Sequence, residues 1–169
     1  MWFCVHFFSI APKRETEKIA GKEVEKTYTY DSGDNCCSFD VSVGGKKQLS
    51  LSYEYDGFSR LSVVTKREGQ GSKQIATYSY NEDGSLVTSE SPDSGLVTHY
   101  TYDYAGDLTE LSNTDVSGSL LSKYACTYRL NGQKTAEREE RETTEKKREV
   151  RNAEYIYDRL HKRQEWNTK

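Results

Sequence analysis

Polar and apolar positions alternate along most of this chain, and pairs of tyrosines punctuate the alternation. Tyr28-Thr29-Tyr30, Tyr53-Glu54-Tyr55, Tyr78-Ser79-Tyr80, Tyr100-Thr101-Tyr102 and Tyr155-Ile156-Tyr157 each separate two rings by one residue. In an extended strand that spacing puts both rings on one face. Cys126-Thr127-Tyr128 is a degenerate sixth copy that keeps only the second tyrosine. The second tyrosines stand at 30, 55, 80, 102, 128 and 157, so the spacings are 25, 25, 22, 26 and 29. Eleven of the 13 tyrosines lie in these copies. A period in the twenties signals stacked supersecondary units.

Each unit reads as a β-hairpin. Asp31, Asp56, Asn81, Asp103 and Asp158 follow the second tyrosine, the residue types favoured at the first position of a type I turn. Gly84, Gly106 and Gly132 stand where that turn ends, and Leu61, Leu86 and Leu108 resume the strand. Ser59 and His161 occupy the glycine position in two copies, and the first copy has Gly33 one place early with Asp34 behind it. Those three turns are expected to differ in geometry. Polar connectors separate the hairpins: Gly69-Gln70-Gly71-Ser72, Ser91-Pro92-Asp93-Ser94-Gly95 and Asp115-Val116-Ser117-Gly118. Strand, tight turn, strand, looser turn, repeated, predicts an all-β antiparallel array.

Glu137 to Arg151 resists the pattern, with 12 charged residues among 15. Residue propensity alone favours a helix there, with Glu142 and Lys146 as an i,i+4 pair. The repeat spacing favours a long polar hairpin with its tip near Thr143-Thr144, and a solvated edge that discourages aggregation in either case.

Composition sharpens this picture more than it changes it. Hydrophobic residues make up 34% of the 169, a thin supply for a globular core, yet 12% are aromatic and the net charge is only −3. Disorder calls for few aromatics and a large net charge. Near-neutrality also argues against nucleic acid as a partner. No apolar run approaches the ~20 residues of a membrane-spanning helix. The apolar start, Met1 to Ile10, lacks the basic n-region of a secretory signal. It reads as a buried first strand, as sequence ahead of the repeats, or as a degenerate export signal. Cys4, Cys36, Cys37 and Cys126 have neither zinc-ligand nor disulfide-framework spacing and read as thiols.

Groups able to do chemistry do not converge. His6, His99 and His161 are far apart without ligand partners at i+2 or i+4, and His99 should point away from the tyrosine face. Asp103 and Asp107 lack a calcium loop's ligand series and read as turn caps. No catalytic residue, metal or cofactor is expected. The tyrosine rows admit two readings, cross-strand ladders or stacking platforms for sugars, and ladders are the simpler.

The pattern Tyr-x-Tyr-Asp-x-x-Gly-x-Leu resembles the YD repeat, also called the RHS repeat. It is clearest in Tyr100 to Thr109, and Tyr53 to Leu61 matches a common variant with Arg-Leu after the turn. The resemblance implies hairpins joined into a wide open sheet that curves or spirals into a hollow shell. In bacterial Rhs proteins and the BC components of Tc toxins the shell encloses a toxic C-terminal polypeptide. Teneurins and bacterial wall-associated proteins carry related shells at the cell surface, and carbohydrate binding has been proposed for some members.

The resemblance covers about residues 27–165, some six hairpin units, with a leader at 1–26 and a tail at 166–169. It implies further YD repeats, or the remainder of a larger shell, as partner, and an enclosed polypeptide or a glycan beyond that. It also implies a secreted or cell-surface location, with a cytoplasmic stage before delivery. Closed shells contain many more than six repeats, so a fragment is expected. An open array has two edges, and the isolated chain is expected to self-associate.

Overall fold

A computed structural model of the protein describes residues 13–143 and 147–157, and the backbone of the strand at 163–168. Met1–Ile10 with Cys4 and His6, the residues Asp158 and His161, and Thr144 at the expected tip lie outside the described residues. The chain divides into two units, Met1–Ala76 and Thr77–Lys169. No helix occurs among the described residues.

The first unit contains β1 (Arg14–Ile19), β2 (Lys22–Tyr30), β3 (Cys36–Val43), β4 (Lys46–Tyr55), β5 (Leu61–Glu68) and the start of β6 (Gly71–Tyr80). The second contains the end of β6, then β7 (Leu86–Ser91), β8 (Leu96–Tyr102), β9 (Leu108–Thr114), β10 (Leu120–Tyr128), β11 (Lys134–Glu142), β12 (Arg148–Tyr157) and β13 (Arg163–Thr168). Within each unit the strands pair antiparallel in chain order. Strands β1 and β2 carry the pairing back into the stretch read as a leader, with Glu17 opposite Val24.

The alternation read in the sequence is the alternation of faces. In the first unit Tyr28 faces Phe39, which faces Leu51, and Tyr53 faces Val64. The Tyr28 and Phe39 ring centroids are 5.0 Å apart. The opposite face carries Thr29, Ser38, Ser52 and Thr65 in one row, with the first two hydroxyls 2.6 Å apart. In the second unit Tyr100, Leu111 and Tyr124 form the corresponding row. Beside it Thr98 donates to Asn113 Oδ1 at 2.7 Å, and Asn113 Nδ2 donates to Ser122 at 2.8 Å. His99 falls on the other face, exposed, as expected.

Only Val64, Tyr155 and Thr98 are buried among the described residues. Within each unit the described strands form one layer, and cohesion comes from half-buried cross-strand pairs, roughly 0.2–1 kcal/mol each. That is why so few aliphatic residues suffice.

The charged segment is a hairpin. β11 and β12 pair from Ala136↔Glu154 to Glu142↔Arg148, and the turn closes with Thr143 N–H donating to the Lys147 carbonyl at 2.8 Å. Intrinsic helix preference loses here to the cross-strand ladder. Lys123 pairs with Glu110, and Arg138 with Glu140, each at 2.8 Å.

Candidate functional site

The repeat motif builds one turn again and again. At Asp103 the backbone N–H donates to the Asp107 carbonyl at 3.0 Å, and the Asp103 carbonyl accepts from Gly106 N–H at 3.1 Å. The carboxylate caps the loop from inside: Asp103 Oδ1 accepts from the N–H of Ala105 at 2.9 Å and of Asp107 at 3.0 Å. Gly106 ends the turn at φ +85°, a left-handed conformation that costs other residues strain. Asn81 and Gly84 repeat the arrangement, and so do Arg129 and Gly132, where the Asn131 side chain caps in place of an aspartate.

Two turns expected to differ do not. Those at Asp31 and Asp56 have the same hydrogen-bonded frame, with Asp34 at φ +62° and Ser59 at φ +60° in the glycine position. The frame demands a left-handed residue there, and Asp and Ser accept the strain. The connector at Asp115 was expected to be loose, yet it closes identically, Gly118 sitting at φ +82°. Its Asp-x-x-Gly spacing was the overlooked signal. Hydrogen bonds from Asn35, then from Gly33, hold the Asp31 carboxyl below its usual range. Those from Ser117 and Ser119 do the same for Asp115. At Asp56 burial pushes upward, and hydrogen bonds from Arg60 and Phe58 outweigh it.

Behind each of these turns is a bulge. Tyr30↔Cys36, Tyr55↔Leu61, Tyr80↔Leu86, Tyr102↔Leu108 and Tyr128↔Lys134 are each followed by a one-residue register shift. A bulge interrupts the ladder and leaves its backbone groups in need of partners. The next repeat supplies one. Tyr55 donates its hydroxyl to the Cys36 carbonyl at 2.9 Å, Tyr102 to Leu86 at 3.0 Å, Tyr128 to Leu108 at 2.8 Å and Tyr157 to Lys134 at 2.8 Å.

The geometry is the same each time. The donor lies three residues beyond, and the acceptor two before, the last ladder pairs Ser52↔Ser38, His99↔Thr88, Ala125↔Glu110 and Glu154↔Ala136. The second tyrosine of one hairpin is therefore bonded to the bulge of the hairpin before it. Burial pushes the phenols of Tyr55, Tyr102 and Tyr128 above their usual value. The first tyrosines have varied partners: Tyr28 its ring neighbour Phe39, Tyr155 the Glu137 carboxylate at 3.2 Å. The motif in the sequence marked both tyrosines alike; only the retention of the second in all six copies hinted at the difference.

Concavities open on the second unit among the described residues. One, of about 950 Å³, is lined by Tyr100, Tyr102 and Tyr104 with Asn81, Asp83 and Asp103, and Tyr104 is fully exposed on its turn. Another, about 170 Å³, lies beside Cys126. Cys36, Cys37 and Cys126 are free, half-buried thiols. No group of three or more potential metal ligands occurs among the described residues.

The solved structures that resemble this fold include the Tc holotoxin pore of Photorhabdus luminescens. The match has a TM-score of 0.71 at 17% identity and covers 83% of this chain but 7% of that one. This chain thus spans a small part of that protein's length. A porin-like protein from Bacteroides uniformis aligns over 86% of this chain and 58% of its own at 15% identity, with a TM-score of 0.38 that is too low to bear on the fold. No curated protein matches the sequence. The family model of the teneurin YD-shell matches residues 5–129, from ahead of β1 to the turn after β10. With the repeated turn, bulge and hydroxyl bond, that match identifies the chain as a member of the teneurin YD-shell family.

Proposed function

We propose that this chain is a non-catalytic wall segment of a YD shell that encloses a polypeptide, in a protein exported from the cell or displayed on its surface. The observation that carries the reading is the hydroxyl bond by which Tyr55, Tyr102, Tyr128 and Tyr157 each reach the bulge of the preceding hairpin. It stitches neighbours together without using either strand edge, so the array can grow by further repeats. The reading is supported by the polar atoms of the motif, which are engaged in turns and bulges.

A second reading, a glycan-binding surface module, is favoured by one feature. The concavity at Tyr100, Tyr102 and Tyr104 presents aromatic rings beside the carboxylates of Asp83 and Asp103, a combination suited to a sugar ring. A glycan array probed with the full chain and with Tyr104→Ala separates the two. The shell reading expects no saturable binding by either protein. Saturable binding by the parent that Tyr104→Ala abolishes would overturn it in favour of the second reading.

A further inference from the structure

One repeat departs from the four before it at several positions at once. Where the first four copies have Tyr28, Tyr53, Tyr78 and Tyr100 opposite Phe39, Val64, Ser89 and Leu111, this copy has Cys126 opposite Glu137, while the last copy keeps its tyrosine, Tyr155, opposite Glu165. The first residue after its turn is Lys134, in the place of Cys36, Leu61, Leu86 and Leu108. The replacements meet. Lys134 Nζ lies 2.9 Å from Glu137 Oε2, and Cys126 lines the same notch as this pair. The Tyr155 hydroxyl donates to the same Glu137 oxygen at 3.2 Å.

Exchanging a tyrosine for a cysteine removes a phenol ring from the row, and the space is left as a notch of about 170 Å³. Leu108, Leu111 and Tyr124 form its apolar walls, and Cys126, Lys134 and Glu137 its polar side. Apolar cavities of roughly 150 Å³ take up one benzene ring. Here one side is ionic, and a purely apolar guest would strip water from that side without replacing its hydrogen bonds. A ring carrying a hydroxyl meets both requirements, and Glu137 already accepts one such hydroxyl from Tyr155.

We infer that the notch beside Cys126 is a binding site for a single phenol-type ring, either a small phenol or a tyrosine side chain offered by another polypeptide. The ring lies against Leu108, Leu111 and Tyr124 and donates its hydroxyl to Glu137. This goes beyond the shell reading and stands without it, since it follows from the missing ring and the Glu137 carboxylate beside it.

The test is titration of the full chain with p-cresol, N-acetyl-tyrosinamide and toluene, followed by amide chemical shifts at Leu111 and at Ala125 to Tyr128. p-Cresol should bind saturably with a dissociation constant on the order of millimolar. Cys126→Tyr, which restores the ring in place, should abolish binding; Cys126→Leu fills the notch more modestly and serves if the first variant does not fold. Glu137→Gln should weaken p-cresol about fivefold or more, the factor by which a hydrogen bond to a charged acceptor exceeds one to a neutral acceptor, and leave toluene unchanged. Saturable binding of N-acetyl-tyrosinamide would assign the site to a polypeptide tyrosine, and binding of p-cresol alone to a free phenol. Absence of saturation by either, survival of binding in both filled variants, or equal affinity for toluene and p-cresol would overturn the inference.

Discussion

Removing a single hydroxyl oxygen tests whether the second tyrosine of each repeat holds its neighbour. Tyr128→Phe keeps the ring and its packing and deletes only the 2.8 Å bond to the Leu108 carbonyl. A neutral hydrogen bond contributes a net ~0.5–1.5 kcal/mol, and a buried acceptor left alone costs more. This acceptor is half-buried, so water replaces part of what is lost, and about 1 kcal/mol is expected. With a urea slope of about 2 kcal/mol per molar, the unfolding midpoint should fall by about 0.5 M.

Tyr55→Phe, Tyr102→Phe and Tyr157→Phe remove equivalent bonds of 2.9, 3.0 and 2.8 Å and should fall in the same range. Tyr100→Phe is the control. Its hydroxyl stands 3.5 Å from Ser89 Oγ, at the limit of a hydrogen bond, and its loss should cost under about 0.5 kcal/mol. The measurement is urea unfolding followed by circular dichroism. If Tyr100→Phe costs as much as Tyr128→Phe, the bulge carbonyl is not what the second tyrosine serves.

Alkaline titration gives an independent arm. The folded-state values of Tyr55, Tyr102 and Tyr128 are raised, so their contribution is complete below the unfolded value near pH ~10 and is lost as pH rises through the folded values. Tyr128→Phe should make that alkaline loss shallower.

Three further outcomes follow from the turns. Gly95→Ala places a Cβ 2.6 Å from Val116 Cγ1 at φ +68°, whereas Gly106→Ala at φ +85° meets nothing within 4 Å. Both should lose about 1–2 kcal/mol from the left-handed backbone; thermal unfolding should show a larger loss at Gly95, partly restored by Val116→Ala, and equal losses would contradict the contact. Ser59→Gly relieves a left-handed serine at φ +60° and should raise stability by about 1 kcal/mol, a prediction that fails if the melting temperature drops. The lowered carboxyl of Asp115 adds stability above its unfolded value near pH ~3.9, and that stability is lost as pH falls through the lower folded value. Asp115→Asn should therefore be less sensitive than the parent to acid below about pH 4, and superimposable acid profiles would exclude the cap.

The hairpins, their boundaries near each Tyr-x-Tyr and the placing of both rings on one face were legible because a strand's side chains alternate with period two. Five copies of one spacing say more than any single propensity, and they outweighed the helix preference of Glu137 to Arg151. The retained second tyrosine could be seen, but its purpose could not. The hydroxyl acts on a carbonyl of the preceding hairpin, and only pairing in register brings Tyr128 to Leu108.

The turns at Asp34 and Ser59 show the complementary lesson. Residue preference pointed to a different geometry, while the closing of the strands on either side imposed the same one. Likewise Cys126, Lys134 and Glu137 are ordinary residues along the chain. They become a notch with an ionic wall because β9, β10 and β11 lie side by side. What local periodicity dictates, the sequence determined alone: strands, faces and the places where the chain turns. What depends on the distance between residues twenty apart was decided by the sheet, because a bulge carbonyl and a missing ring exist only between neighbouring strands.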